Sequence, residues 1–166
     1  MLKLATLLEN PGEPQVHTRY QDPGQLKALG YNGLVIYEST ALSGMQNTDA
    51  IGSDEVRRWV GSRVDHIAQT VNTAHAAGLE VYLSYDVLVL PEHVVERNIN
   101  GLCCKGRPQT LCPASDQALE KSAAALEALI NQWPQIAGIV LRFGDTDAQR
   151  LPHLVGNDLY SPHCPR

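Results

Sequence analysis

Four short runs of apolar, β-favouring residues recur along the chain, and each runs into an acidic residue. Residues 4–8 precede Glu9, residues 33–37 precede Glu38, residues 80–85 precede Asp86, and residues 138–144 precede Asp145. Between them the apolar spacing changes to three and four, the period of an amphipathic helix. Asp22-Pro23 predicts a first short helix, with Asp22 as N-cap, Pro23 in the first turn, Leu26 and Leu29 as its apolar positions, and Gly30 as its stop. A second helix is expected from Ser53 or Asp54 to Gly78. Its inner stripe is Val56, Trp59, Val60, Val64, Ile67, Val71 and Ala74. A third is expected after Ser115, with Leu119, Leu126, Leu129, Ile130 and Trp133 facing inward and Pro134 beyond its end. Both tryptophans therefore fall on helical stripes, where a core role is expected.

The order β-α-β-α-β-α-β calls for a parallel α/β sheet. One domain over residues 1–166 is expected, built from parallel β/α units as half of a TIM-type barrel, with an open flavodoxin-like sheet as the alternative. A full (β/α)8 barrel takes about 250 residues. Four units would leave two strand edges to be paired or covered. A second copy (a homodimer) or a further C-terminal half-barrel would meet that need. Two long polar loops, 39–52 and 91–114, leave the rim formed by the C-terminal ends of the strands, where α/β proteins bind ligands.

Composition narrows the function. The chain has 166 residues, 43% hydrophobic and 19% charged, as in ordinary globular domains. A net charge of −5 without a basic run argues against nucleic acid and against an anionic membrane surface. No apolar stretch approaches the roughly 20 residues of a membrane span, and a cytoplasmic location is the default expectation. The cysteines, Cys103, Cys104, Cys112 and Cys164, do not form a secreted disulfide framework, so reduced thiols are expected. Their spacing, even with His163, lacks a paired Cys-x-x-Cys, which disfavours zinc. No metal site and no cofactor is expected; no glycine-rich phosphate loop is present, and the lack of a Gly-x-Ser-x-Gly elbow disfavours a nucleophilic triad.

Four carboxylates delivered to one rim suit acid/base chemistry on sugars. Asp145 is the candidate proton donor, because Asp147, Asp86 and Glu38 on the same rim would crowd it with like charge and raise its pKa. Arg142 would bind a substrate carboxylate or orient Asp145, unless it serves a structural ion pair. Tyr37 and Tyr85 could stack on a sugar ring or lie in the core. Glu9, Asn10 and Asn157 are candidates for hydroxyl contacts, or turn residues.

The stretches Leu29-Gly30-Tyr31-Asn32-Gly33-Leu34-Val35, Leu83-Ser84-Tyr85-Asp86 and Val140-Leu141-Arg142-Phe143-Gly144-Asp145-Thr146, with 151–157 following, resemble the barrel of bacterial α-glucuronidase-like glycoside hydrolases. The resemblance covers the chain as the N-terminal half of that barrel. It implies a proton donor at Asp145, where Glu is more usual, and a second catalytic carboxylate on later strands. Two other readings stand beside it: a non-catalytic α/β domain that binds a polyol or mediates assembly, and a metal-dependent enzyme using Asp145, Asp147 and His163.

Overall fold

The computed structural model describes residues 1–7, 19–37, 53–142 and 153–156. In chain order its elements are β1 (Leu4–Leu7), α1 (Pro23–Ala28), β2 (Gly33–Ile36), α2 (Asp54–Ala76), β3 (Glu80–Asp86) and β4 (Val89–Pro91). There follow α3 (Glu92–Glu96), α4 (Ile99–Leu102), β5 (Cys103–Cys104), β6 (Arg107–Leu111), α5 (Asp116–Gln132), β7 (Gly138–Arg142) and β8 (Leu154–Gly156).

The helix starts follow their capping residues. The Asp22 carboxylate accepts the Gln25 N–H at 2.8 Å, Ser53 Oγ accepts Val56 N–H at 3.3 Å, and Ser115 Oγ accepts Ala118 N–H at 3.1 Å. Each satisfies a backbone donor that the first helical turn leaves without a carbonyl. Helices α1 and α2 are followed by Gly30 and Gly78 at φ +88° and +75°, a region open to glycine at little cost.

Four strands form one parallel sheet in the order β1-β2-β3-β7. The main strands thus follow chain order without a reversal. Same-handed crossovers then put all intervening helices on one face. The core agrees: Leu26 of α1, Ile67, Val71 and Ala74 of α2, and Leu129 and Trp133 at α5 all pack on Leu34, Ile36, Val81, Leu83 and Tyr85 of the sheet. The expected parallel β/α units are present, in barrel-type order. A four-strand parallel sheet of β/α units suits a partial TIM-type barrel or an open α/β sheet.

Two expectations need correction. On α5 the buried stripe is Ala118, Ser122, Ala125 and Leu129, continued by Trp133, while Leu119 and Ile130 are 40% and 44% exposed. Small residues face inward because the sheet already supplies a large one there. The Tyr85 hydroxyl donates to the Ser122 carbonyl at 2.8 Å, and only a short side chain lets the helix come that close. The segment 91–114, expected as a polar loop, is largely built around a second core. Leu88, Leu90, Val95, Leu102, Cys103, Leu111, Ala118 and Val155 bury each other there. Strand β4 pairs antiparallel with β8, and β5 with β6. Trp59 is partly buried and meets His153 edge-on at 5.8 Å, whereas Trp133 is fully in the core. No helix among the described residues is long and apolar enough to cross a membrane.

Two measurements check this account. Gly61 sits mid-helix in α2 on the exposed side, and a Cβ there meets nothing within 4 Å. Gly61→Ala should therefore raise the unfolding free energy by about 0.5–1 kcal/mol in urea titrations. His93 of α3 is held below its ordinary pKa, first by burial and then by the Arg97 charge, with Glu96 opposing. Unfolding makes this ring a better base, so its contribution is complete above about pH 6.5 and is lost as pH falls through the lower folded value. His93→Gln should flatten the acid limb of the stability–pH curve below that point.

Candidate functional site

Strand alternation divides the sheet residues between two faces. Val81, Leu83 and Tyr85 of β3 point to the helices. Tyr82, Ser84 and Asp86 point to the other face, which no helix among the described residues covers in the core. Register extends the second set sideways: Asp86 pairs with Arg142, Ser84 with Val140 and Tyr82 with Gly138, while Tyr82 also pairs with Val35 and Val35 with Thr6.

This face changes character along the strands. At its N-terminal end Tyr82 lies between two glycines. A Cβ on Gly138 would come 3.2 Å from the ring, and one on Gly33 would come 3.0 Å from it. The Tyr82 hydroxyl donates to Glu80 at 2.9 Å, and that bond to the carboxylate, with its charge, raises the phenol above its ordinary pKa. Toward the C-terminal end the residues become polar and interlocked. Arg142 Nε lies 3.1 Å from the Asp86 carboxylate. The same guanidinium sits 3.7 Å above the centre of the Tyr37 ring, a cation–π contact. Ser84 Oγ donates to the Tyr37 carbonyl at 2.6 Å, fixing the chain just past β2.

Asp86 is 1% exposed. A carboxylate so deep is stable as an anion only beside a countercharge, and Arg142 supplies one. The backbone after it is also unusual. Leu88 is fully buried with φ +62°, a left-handed conformation that costs a branched residue roughly 1–2 kcal/mol. Burial of Leu88 in the second core holds this turn and sends the chain from β3 into β4.

The structure therefore joins three expected site residues, Tyr37, Asp86 and Arg142, in one cluster at the C-terminal rim. Arg142 does make the structural ion pair weighed for it, and Asp86 spends its charge on Arg142. One face of the Tyr37 ring is covered by the guanidinium. Tyr85 is in the core on the opposite face, which answers its two readings: it is 1% exposed and bonded to Ser122, out of reach of a ligand on the rim. Glu9, Asn10, Glu38, Asp145, Asp147, Asn157, His163 and Cys164 lie outside the described residues. Ser84 was not singled out in the sequence. Its signal is the single serine in β3, two residues before Asp86 and so on the same face.

Among the described residues no group of three or more His, Cys, Asp or Glu side chains is placed to hold a metal ion. Cys103, Cys104 and Cys112 are buried and not in disulfides.

No protein-family model matches the chain, and no curated protein does. Among solved structures, a noncanonic maltogenic α-amylase from Thermotoga neapolitana aligns with 73% of this chain at 13% identity and a TM-score of 0.48. The aligned region is 33% of that protein's chain, so this chain spans about a third of its length.

A double-mutant cycle tests the buried pair. Asp86→Leu and Arg142→Met should each destabilise the fold by about 3–5 kcal/mol, since each strands a charge. The double variant should recover most of the loss, and purely additive losses would show that the pair is not coupled.

Proposed function

We propose that the C-terminal rim of the helix-free face binds a carbohydrate, and that the chemistry served there is glycoside hydrolysis, with an acidic sugar the favoured substrate. The observation that carries this reading is the cluster of Tyr37, Asp86 and Arg142, with Asp145 three residues beyond Arg142. An aromatic ring and a fixed cation side by side are groups that recognise a sugar bearing a carboxylate. In this reading the Tyr37 ring offers its outer face to the sugar. Arg142, oriented by Asp86, supplies positive charge to the substrate carboxylate or to Asp145. Asp145 is the proton donor, and Glu38, Asp147, Glu9, Asn10 and Asn157 contact hydroxyls. Hydrolysis needs a second carboxylate across the scissile bond. Further β/α units or a second copy of the chain would supply it.

A different reading, assembly without catalysis, draws on one feature. β7 is one edge of the sheet among the described strands, and Leu141 on it is 45% exposed. It predicts dimerisation that Leu141→Lys abolishes, with no hydrolysis under any condition.

For the first reading, Asp145→Asn in the complete enzyme should abolish turnover of a uronic-acid glycoside while leaving the melting temperature nearly unchanged. Retained turnover would remove Asp145 from the mechanism.

A further inference from the structure

The β5–β6 hairpin encloses chemistry that the rim does not use. A cavity of about 680 Å3 opens at the hairpin, lined by Asn100, Cys103, Cys104, Lys105, Arg107 and Cys112 among others. That volume is in the range of sites that hold small organic molecules. Its ionisable lining consists of three thiols and two cations, with no carboxylate, in a chain whose net charge is −5. Such a cavity favours an anion, and the thiols give that anion something to react with.

The three sulfurs are not equivalent. Cys104 directs its thiol into the hairpin, toward the Leu111 carbonyl at 3.6 Å. Cys103 is 9% exposed, more than Cys104 at 3% or Cys112 at 4%. Its S–H donates to the Pro108 carbonyl at 3.1 Å. Gly106, at φ +77°, forms the tight turn that sets Lys105 and Arg107 on either side of it, both exposed at the mouth of the cavity.

We propose that this cavity binds a small disulfide carrying carboxylates and forms a mixed disulfide with it at Cys103. The ligand's carboxylates meet Lys105 and Arg107, which places its sulfurs over the thiol. The Cys103 thiolate attacks one ligand sulfur, the ligand's S–S bond breaks, and a new S–S bond joins that half to Cys103. The other half leaves as a thiolate and takes up a proton equivalent to the one Cys103 lost. One disulfide replaces another, so no further oxidant is needed. Burial raises the Cys103 thiol above its ordinary pKa, while a backbone hydrogen bond at Thr110 works the other way. An unguided encounter at neutral pH is therefore slow, and holding the ligand in the cavity makes the difference.

The test exposes the folded, reduced chain to three disulfides: glutathione disulfide as the anionic probe, hydroxyethyl disulfide as the neutral one, and cystamine as the cationic one. Peptide mass mapping follows each cysteine separately. Glutathione disulfide should modify Cys103 about tenfold faster than the neutral probe at low salt, an advantage that salt erodes. Lys105→Gln combined with Arg107→Gln should remove that advantage and leave the neutral rate unchanged. Cys103→Ser should abolish the adduct in the cavity. Equal rates for the three probes would overturn the proposal. So would first modification at another cysteine, reaction at Cys103 only after unfolding, or Cys103 recovered joined to another cysteine of the chain.

Discussion

The strict two-residue alternation of β3, inside a sheet whose strands follow chain order, is the constraint from which the rest follows. Chain order puts the crossover helices α1, α2 and α5 on one face, and alternation then sorts each side chain of the strand. Val81, Leu83 and Tyr85 meet helices and close the core. Tyr82, Ser84 and Asp86 are left on the side that no helix among the described residues covers. A one-residue slip against β7 would carry Asp86 into the helix layer without a partner and move Tyr85 onto the rim. The Asp86–Arg142 pair and the Tyr85–Ser122 hydrogen bond both oppose that slip, one on each face.

How much of this was legible in the sequence depended on whether the signal was local. Caps at Asp22 and Ser115, the α2 start near Ser53 or Asp54, and the glycines after α1 and α2 depend on signals within one helical turn, and they read correctly. The four strand runs read correctly too, because buried parallel strands are nearly continuous apolar runs. The inward face of α5 did not, since Leu119 and Ile130 are the more hydrophobic residues and a one-dimensional pattern ranks them first. What decides the face is Tyr85, far away in sequence, whose bulk leaves room only for Ser122 and the alanines near it. The segment 91–114 misled for a similar reason. Its apolar residues, Val95, Leu102, Cys103 and Leu111, are too scattered for either helical or strand periodicity. They become a core only once β4 and the hairpin bring them together.

The site was legible to a similar degree. Of the four acids at strand ends only Asp86 is among the described residues, and it stands at the C-terminal end of β3 as its run implied, while parity alone assigns Asp86 and Tyr85 to opposite faces. The pairing of Asp86 with Arg142 was not readable, because it depends on the register between β3 and β7, which no local pattern encodes. The guanidinium also sits over Tyr37, two strands away from its own. Electrostatics and stacking thus link β2, β3 and β7 at the rim, where backbone pairing ends.

At the opposite end of the same face, the Tyr82 ring lies across three strands in a gap left by Gly33 and Gly138. These positions are 49 and 56 residues from Tyr82 in the chain, and they are adjacent to it only through strand register. The consequence is evolutionary. A side chain at 138 meets the Tyr82 ring alone, whereas one at 33 meets Leu4 before it meets the ring. Variation at 82 and 138 is therefore coupled directly, and variation at 33 is coupled to Leu4 as well. In lineages that descend from this chain, a larger residue at 138 should be accompanied by a smaller one at 82, so that aligned relatives would carry the register of β3 against β7 as covariation between these two columns.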